Sequence, residues 1–132
     1  MRIAIRTSNA SSGNGPYSQG IIAGDFVYVS GQGPLDPETG QIIGETIEEQ
    51  TELTMSNIKN IIEAAGCTMD NVVKVTVFLA DLDHFDRFNS VYTSFFNQPM
   101  PARTCVEVGL GNILVEIDAI ALLPSKVQEG RL

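Results

Sequence analysis

Apolar residues recur along this chain with two periods, and the switches between them divide it into elements. Over residues 47–65, Ile47, Thr51, Thr54, Ile58, Ile61 and Ala65 fall at helical steps. Met55 and Ile62 widen the stripe, which is weak in its first half and strong in its second. Thr46 and Glu49 make a capping-box pair at the start and Gly66 is a natural stop. Glu45, Glu48, Glu49 and Glu52 crowd the first turns, where the helix dipole favours anions, and read as a solvated face rather than a metal site. A second helix is predicted over 84–96, with Asp83 as its cap. Phe85, Phe88, Tyr92, Phe95 and Phe96 form its aromatic face, and Pro99 and Pro101 end it.

Strand-like patterns occupy the rest. A short strand is predicted at 2–6. The runs 17–23 and 26–30 flank Gly24-Asp25 and read as a hairpin. Residues 72–79, VVKVTVFL, are β-branched and apolar at nearly every position, which predicts a strand buried on both faces. Residues 102–108 alternate, with Arg103, Cys105 and Glu107 on one side. Residues 114–122 also alternate, with Glu116 and Asp118 on one side and Val115, Ile117, Ala119 and Ala121 on the other. The short link 109–113 is compatible with an antiparallel hairpin between these last two. The order is β, β, β, helix, β, helix, β, β. It predicts an α+β fold in which two helices share one face of a six-stranded sheet and leave the other face open for a partner.

At 132 residues the chain fits a single domain, with a core of about 3–123 and a tail at 124–132. Eight Lys and Arg stand against sixteen Asp and Glu, a net charge of -8, which argues against nucleic-acid binding and against anionic membranes. There is neither a membrane-length apolar run nor an apolar signal segment. Cys67 and Cys105 make no disulfide or zinc pattern, and His84 is the sole histidine. A cytoplasmic protein with reduced thiols and no metal is expected.

The chemistry concentrates in the final third. Arg103 sits in an otherwise apolar hairpin, and a half-buried guanidinium demands compensation. In one hairpin register Cys105 faces Glu116 and Arg103 faces Asp118, so that Arg103 and Glu116 become diagonal neighbours. Two readings follow: a cross-strand salt bridge to Asp118 or Glu116, or a fork that grips a substrate carboxylate while Glu116 serves as acid/base or orients water. Periodicity leaves both open. Other candidates are Tyr17 at a loop-to-strand junction, the Ser30-Gly31 strand end with its backbone N–H groups, Asn89 in mid-helix and Cys105. With no histidine beside it in sequence, Cys105 reads as a small half-buried side chain rather than a nucleophile.

Several blocks in order then resemble a known family: GPYSQG at 15–20, VSGQGPLDPETG at 29–40, NIKNIIEAAG at 57–66, VVKVTVFLADLDHF at 72–85, FNSVYTSFF at 88–96, PARTCVEV at 101–108 and VEIDAIA at 115–121. The chain resembles the Rid (YjgF-type) family of reactive intermediate imine/enamine deaminases over most of its length. The resemblance implies a chorismate-mutase-like protomer, a homotrimer whose open sheet faces form a central barrel, and clefts between subunits. It implies hydrolysis of 2-imino acids to 2-oxo acids and ammonia without metal or cofactor. The substrates would be imines arising from enamines released by pyridoxal-phosphate dehydratases. By position, Arg103 would pair with the substrate carboxylate and Glu116 would orient water. Tyr17, Ser30, Gly31, Asn89 and Cys105 would line the cleft, some of them from the neighbouring chain. The segments GLGN at 109–112 and NQPM at 97–100 are shorter than in familiar members, and Gly33 replaces a larger residue. Two other functions compete: an endoribonuclease or translation inhibitor, an older label in this family, and a non-catalytic small-carboxylate binder.

Overall fold

The computed structural model describes residues 1–124; the rest of the expected tail lies outside the described residues. Six strands form one mixed sheet: β1 (Arg2–Ile5), β2 (Gly20–Ala23), β3 (Phe26–Gln32), β4 (Val72–Leu79), β5 (Ala102–Glu107) and β6 (Val115–Leu122), in the order β1-β2-β3-β6-β4-β5. Two helices, α1 (Ile47–Ala64) and α2 (Phe85–Tyr92), pack against each other over one face. No helix among the described residues is long and apolar enough to cross a membrane.

The caps of α1 follow from its sequence. Glu49 N–H donates to Thr46 Oγ1 at 3.1 Å, and Thr46 N–H donates to Glu49 Oε1 at 3.1 Å. At the other end Gly66 takes φ +88°, and the amides of Gly66 and Cys67 donate back to Glu63 and Ile62. The weak first half of the stripe has a structural reason. Gln50, Thr51, Thr54 and Asn57 are buried there alongside Ile47 and Met55. Gln50 Nε2 donates to the Gly44 carbonyl at 3.0 Å, and its Oε1 accepts from Leu114 N–H at 2.8 Å. Asn57 Nδ2 donates to the carbonyls of Gly33 and Leu35. These buried amides hold two loops by their backbones, a task no aliphatic residue can perform.

The second helix is shorter than its pattern predicts. A 3-10 turn at Leu82–His84 precedes α2 and another at Thr93–Phe95 follows it. Asp83 is not the cap: the Asp81 side chain caps the 3-10 turn, accepting from Asp83 N–H at 2.8 Å, and α2 follows His84 without a side-chain cap. Of the aromatic face, Phe88 and Tyr92 are buried, Phe95 and Phe96 pack at the core margin, and Phe85 stays exposed.

Two strand expectations are corrected. First, β4 is buried on one side only: Val75, Val77 and Leu79 face the helices, while Lys74, Thr76 and Phe78 face the open side. A run without polar interruptions hides which face is covered, because apolar residues also line a face that another chain could cover. Second, β5 and β6 form no hairpin. β5 pairs in parallel with β4, whereas β6 lies antiparallel between β3 and β4. The segment containing α2 is the crossover that a parallel pair requires. β6, with Val115, Ile117, Ala119 and Ala121 buried, takes the centre, and β5, with no fully buried residue, takes the edge.

Candidate functional site

The parallel pairing decides where Arg103 points. Arg103 is opposite Val75 and Cys105 is opposite Val77, so both side chains lie on the helix face. There the guanidinium sits over the rings of α2: its carbon is 4.9 Å from the Tyr92 ring centre, 5.6 Å from Phe85 and 5.8 Å from Phe88. Arg103 Nη1 donates to Asn89 Oδ1 at 2.7 Å. The cross-strand salt bridge to Asp118 or Glu116, one of the two open readings, is absent; among the described residues Arg87 and Glu48 form the ion pair, at 2.7 Å. Ring faces and an amide oxygen supply the compensation that a carboxylate would supply in a salt bridge. Such contacts are worth about 0.5–2 kcal/mol per ring and about 1.5–3 kcal/mol for a hydrogen bond to a charged group.

The surroundings of Arg103 are tight on one side and open on the other. Burial pushes the Tyr92 hydroxyl up to about 12, against the opposing effect of Arg103, and Tyr92 Oη is buried with no hydrogen-bond partner. Burial also pushes the Cys105 thiol up, with Arg103 opposing, so Cys105 is held as a neutral thiol rather than activated as a nucleophile. On its open side Arg103 borders a cavity of about 350 Å³ shared with Asn89, Tyr92, Thr93, Met100 and Pro101.

Glu116 lies elsewhere. It is opposite Phe78 on β4, one residue out of phase with the Val77–Ile117 pair, so it emerges on the open face. Arg103 and Glu116 therefore point to opposite sides of the same sheet, and the register that made them diagonal neighbours is overturned. The reason is the β4 strand between them: each residue keeps the side its own alternation predicts, but the two strands never touch. Glu116 borders a second cavity, of about 270 Å³, with Tyr17, Gly31, Gly33, Asn112 and Ile113 among its walls. A β-carbon added at Gly31 would come within 2.7 Å of Glu116 Oε2, so the glycine makes room for the carboxylate. Burial, then the neighbouring Asp118, raises the Glu116 pKa above the usual carboxylate range. Asp118 is raised too, by burial, with the Thr76 hydroxyl and Lys74 opposing.

The remaining candidates divide between these two places. Tyr17 is exposed in the loop before β2, and Gly13, at φ +78°, leaves space for its hydroxyl. Ser30 is structural in its side chain: its Oγ donates to the Ser18 carbonyl at 2.6 Å, and its N–H donates to Gln19, tying the Tyr17 loop to β3. Gln19, buried beneath that loop, donates to the carbonyls of Thr7, Ala10 and Ser11. Asn89 meets the strand arginine. Sequence reasoning missed the ring cradle of Phe85, Phe88 and Tyr92, although the aromatic face of α2 was its signal. It also missed Gln50 and Asn57, whose only trace was the polar interruption of the α1 stripe.

Comparison with known proteins agrees with this fold. Residues 7–123 match the family described as Endoribonuclease L-PSP. A RutC family protein from Pyrococcus horikoshii is 46% identical, over 92% of this chain and 98% of its own length. A 2-iminobutanoate/2-iminopropanoate deaminase from Salmonella typhimurium is 42% identical, over 92% of this chain and 98% of its own. Among solved structures, RidA from an Antarctic Psychrobacter has a TM-score of 0.87 at 39% identity, covering 92% of this chain and 99% of that one. TdcF from Escherichia coli with bound serine has a TM-score of 0.85 at 39% identity, covering 91% of this chain and 98% of that one. The six-stranded sheet, the two helices on one face and the matched 7–123 span thus place the chain in the Endoribonuclease L-PSP family, alongside Rid and RutC proteins.

Proposed function

We propose that the protein hydrolyses 2-imino acids such as 2-iminopropanoate and 2-iminobutanoate, and the enamines that give rise to them, to 2-oxo acids and ammonia. The observation that carries the reading is Arg103: a half-buried guanidinium, pre-positioned by rings and by one amide oxygen, with no carboxylate partner among the described residues. Asn89 occupies one of its five N–H donors, and the rest suit the planar, two-oxygen grip of a substrate carboxylate. A deaminase relative, and a relative solved with a bound amino acid, support a small carboxylate in this fold.

The chemistry is redox-neutral and needs no electron acceptor. Water oxygen bonds to C2, and the C=N electron pair moves to nitrogen. Glu116 accepts the water proton and returns it to nitrogen. The hydroxyl proton then passes by way of Glu116 to the nitrogen, so that the C–N bond breaks, ammonia leaves and the carbonyl forms. A carboxylate raised above its usual range is a better proton acceptor for this task, being closer in pKa to the working pH. Holding an already electrophilic carbon beside an oriented water supplies much of the required rate.

Arg103 and Glu116 lie on opposite sides of one sheet, so the reading needs Glu116 from a second copy. The exposed side chains of Phe26, Tyr28 and Val106 on the open face support an assembly that buries that face. Three copies around a central barrel, with clefts between neighbours, complete the proposal. Dehydratases that use pyridoxal phosphate in the cytoplasm would supply the substrate.

In a coupled assay, with a threonine dehydratase generating the imine, the wild-type protein is expected to accelerate 2-oxobutanoate release, and Arg103→Ala is expected to abolish the acceleration. An unchanged rate in that variant overturns the proposal. Carboxylate binding without ammonia release would instead mark a non-catalytic binder. The ribonuclease named in the family description requires RNA affinity. A net charge of -8 opposes it, and a salt titration is expected to show no steep dependence.

A further inference from the structure

The cavity beside Arg103 is larger than its anchor requires. Its volume is about 350 Å³, roughly ten times the ~30 Å³ share of one liquid water. Arg103 and Asn89 form its polar wall, and Tyr92, Met100, Pro101 and Thr93 form the rest. Met100 and Pro101 belong to the segment that leads directly into β5, so the chain that positions the arginine also shapes the space next to it. Tyr92 is held by Phe88 and Phe96 at ring separations of 5.5 and 4.9 Å, so that wall is firm. Thr93 is exposed at the cavity margin.

In a 2-imino acid the carboxylate and the side chain sit on the same carbon. A carboxylate gripped by Arg103 therefore brings the side chain to the cavity that Arg103 borders. A methyl or ethyl group would leave most of this space to water. A branched or longer apolar chain would displace that water and meet Met100, Pro101 and the Tyr92 ring.

We propose that this cavity is a side-chain subsite that makes the protein selective for 2-imino acids with apolar side chains of leucine or methionine size over those of alanine size, an inference that rests on the imine-hydrolysis reading. Dehydration of serine or threonine yields only the small imines. The larger ones must come from oxidation of apolar amino acids at the Cα–N bond, with an acceptor such as a flavin taking the electron pair.

The test generates both imines with a D-amino-acid oxidase, molecular oxygen and catalase, from D-leucine and D-alanine; the imine carbon is planar, so the parent's handedness is immaterial. The readout is the ratio of kcat/KM for the two imines, followed as 2-oxo acid release. Wild type is expected to favour the leucine-derived imine by about 10-fold or more, because each buried methylene contributes a several-fold preference. Met100→Trp, which fills the cavity, is expected to bring the ratio towards one. Thr93→Trp, a change at an exposed position, is expected to do the same from the opposite wall. A wild-type ratio near one overturns the subsite while leaving imine hydrolysis standing, as does an unchanged ratio in both variants. No hydrolysis of either imine by the wild type overturns the hydrolysis reading, and the subsite with it.

Discussion

The two halves of the candidate site are built differently. The Arg103 half is finished within one protomer: strand, helix and rings converge on a guanidinium whose position the chain already determines. The Glu116 half gathers strand and loop residues on the open face, around a carboxylate that shares its surroundings with Asp118 and has no cationic partner among the described residues. A cation over aromatic rings is stable alone, because the ring faces and the solvated edge of the fork both favour the charge. Two half-buried carboxylates on one face are not, and they favour protonation or a partner. One half is thus a finished anchor, and the other is a surface awaiting its complement.

The sharpest way to break this comparison is to separate the halves between chains. Arg103→Ala and Glu116→Gln are each expected to be inactive alone. When the two are unfolded together and reassembled, a cleft that takes Arg103 from one chain and Glu116 from the next is intact in about a quarter of cases. Ammonia release should recover to that order, and no recovery would show that the two residues do not meet between copies. The next largest effect is expected at Gly31. Gly31→Ala places a methyl group where Glu116 Oε2 now lies and should lower kcat by about 10-fold or more with little change in KM, since the carboxylate moves while the anchor stays. Asn89→Ala tests the other half. It removes one charge-assisted hydrogen bond from Arg103 and should raise KM about 10-fold, about 1.5 kcal/mol, with kcat less affected.

The smallest expected effect is a shift in pH dependence. Glu116 must be ionised to accept a proton, and its pKa is raised, so kcat/KM should climb with pH through a window above the ordinary carboxylate range. Asp118→Asn removes the like charge and should move that acidic limb to lower pH. The same raised pKa values set the sign for stability. A carboxyl group raised on folding binds its proton more tightly in the folded state, so its contribution is present at low pH and lost as pH rises through the folded value. Asp118→Asn should therefore raise the melting temperature at neutral pH and leave it nearly unchanged near pH 3. A drop at neutral pH would mean that the carboxylate is needed for the fold.

Much of the architecture was legible because it is local. The Thr46–Glu49 box, the Gly66 stop, the turn at Gly24 and the alternation of 102–108 and 114–122 each rest on contacts within a few residues, and each is present. The failures are long-range or involve a choice of face. Whether 109–113 closed a hairpin could not be read from its length, because the same short link also carries the chain from β5 past β4 into the centre of the sheet. Whether 72–79 was buried on one face or two could not be read from its apolar run. Asn89 was legible as an amide in mid-helix, but its partner lies on a strand and comes into reach only through the crossover.

The amino-acid sequence alone determined the element types, the helix caps and which side of its own strand each residue takes, because backbone geometry imposes the two periods residue by residue. It also singled out Arg103 as a cation in apolar company. Only the tertiary structure decided that Arg103 and Glu116 face opposite sides of the sheet. That outcome depends on strand order, which is set by where the whole core buries the most apolar surface: β6 in the centre, β5 at the edge, and the α2 crossover carrying an aromatic cradle over the arginine.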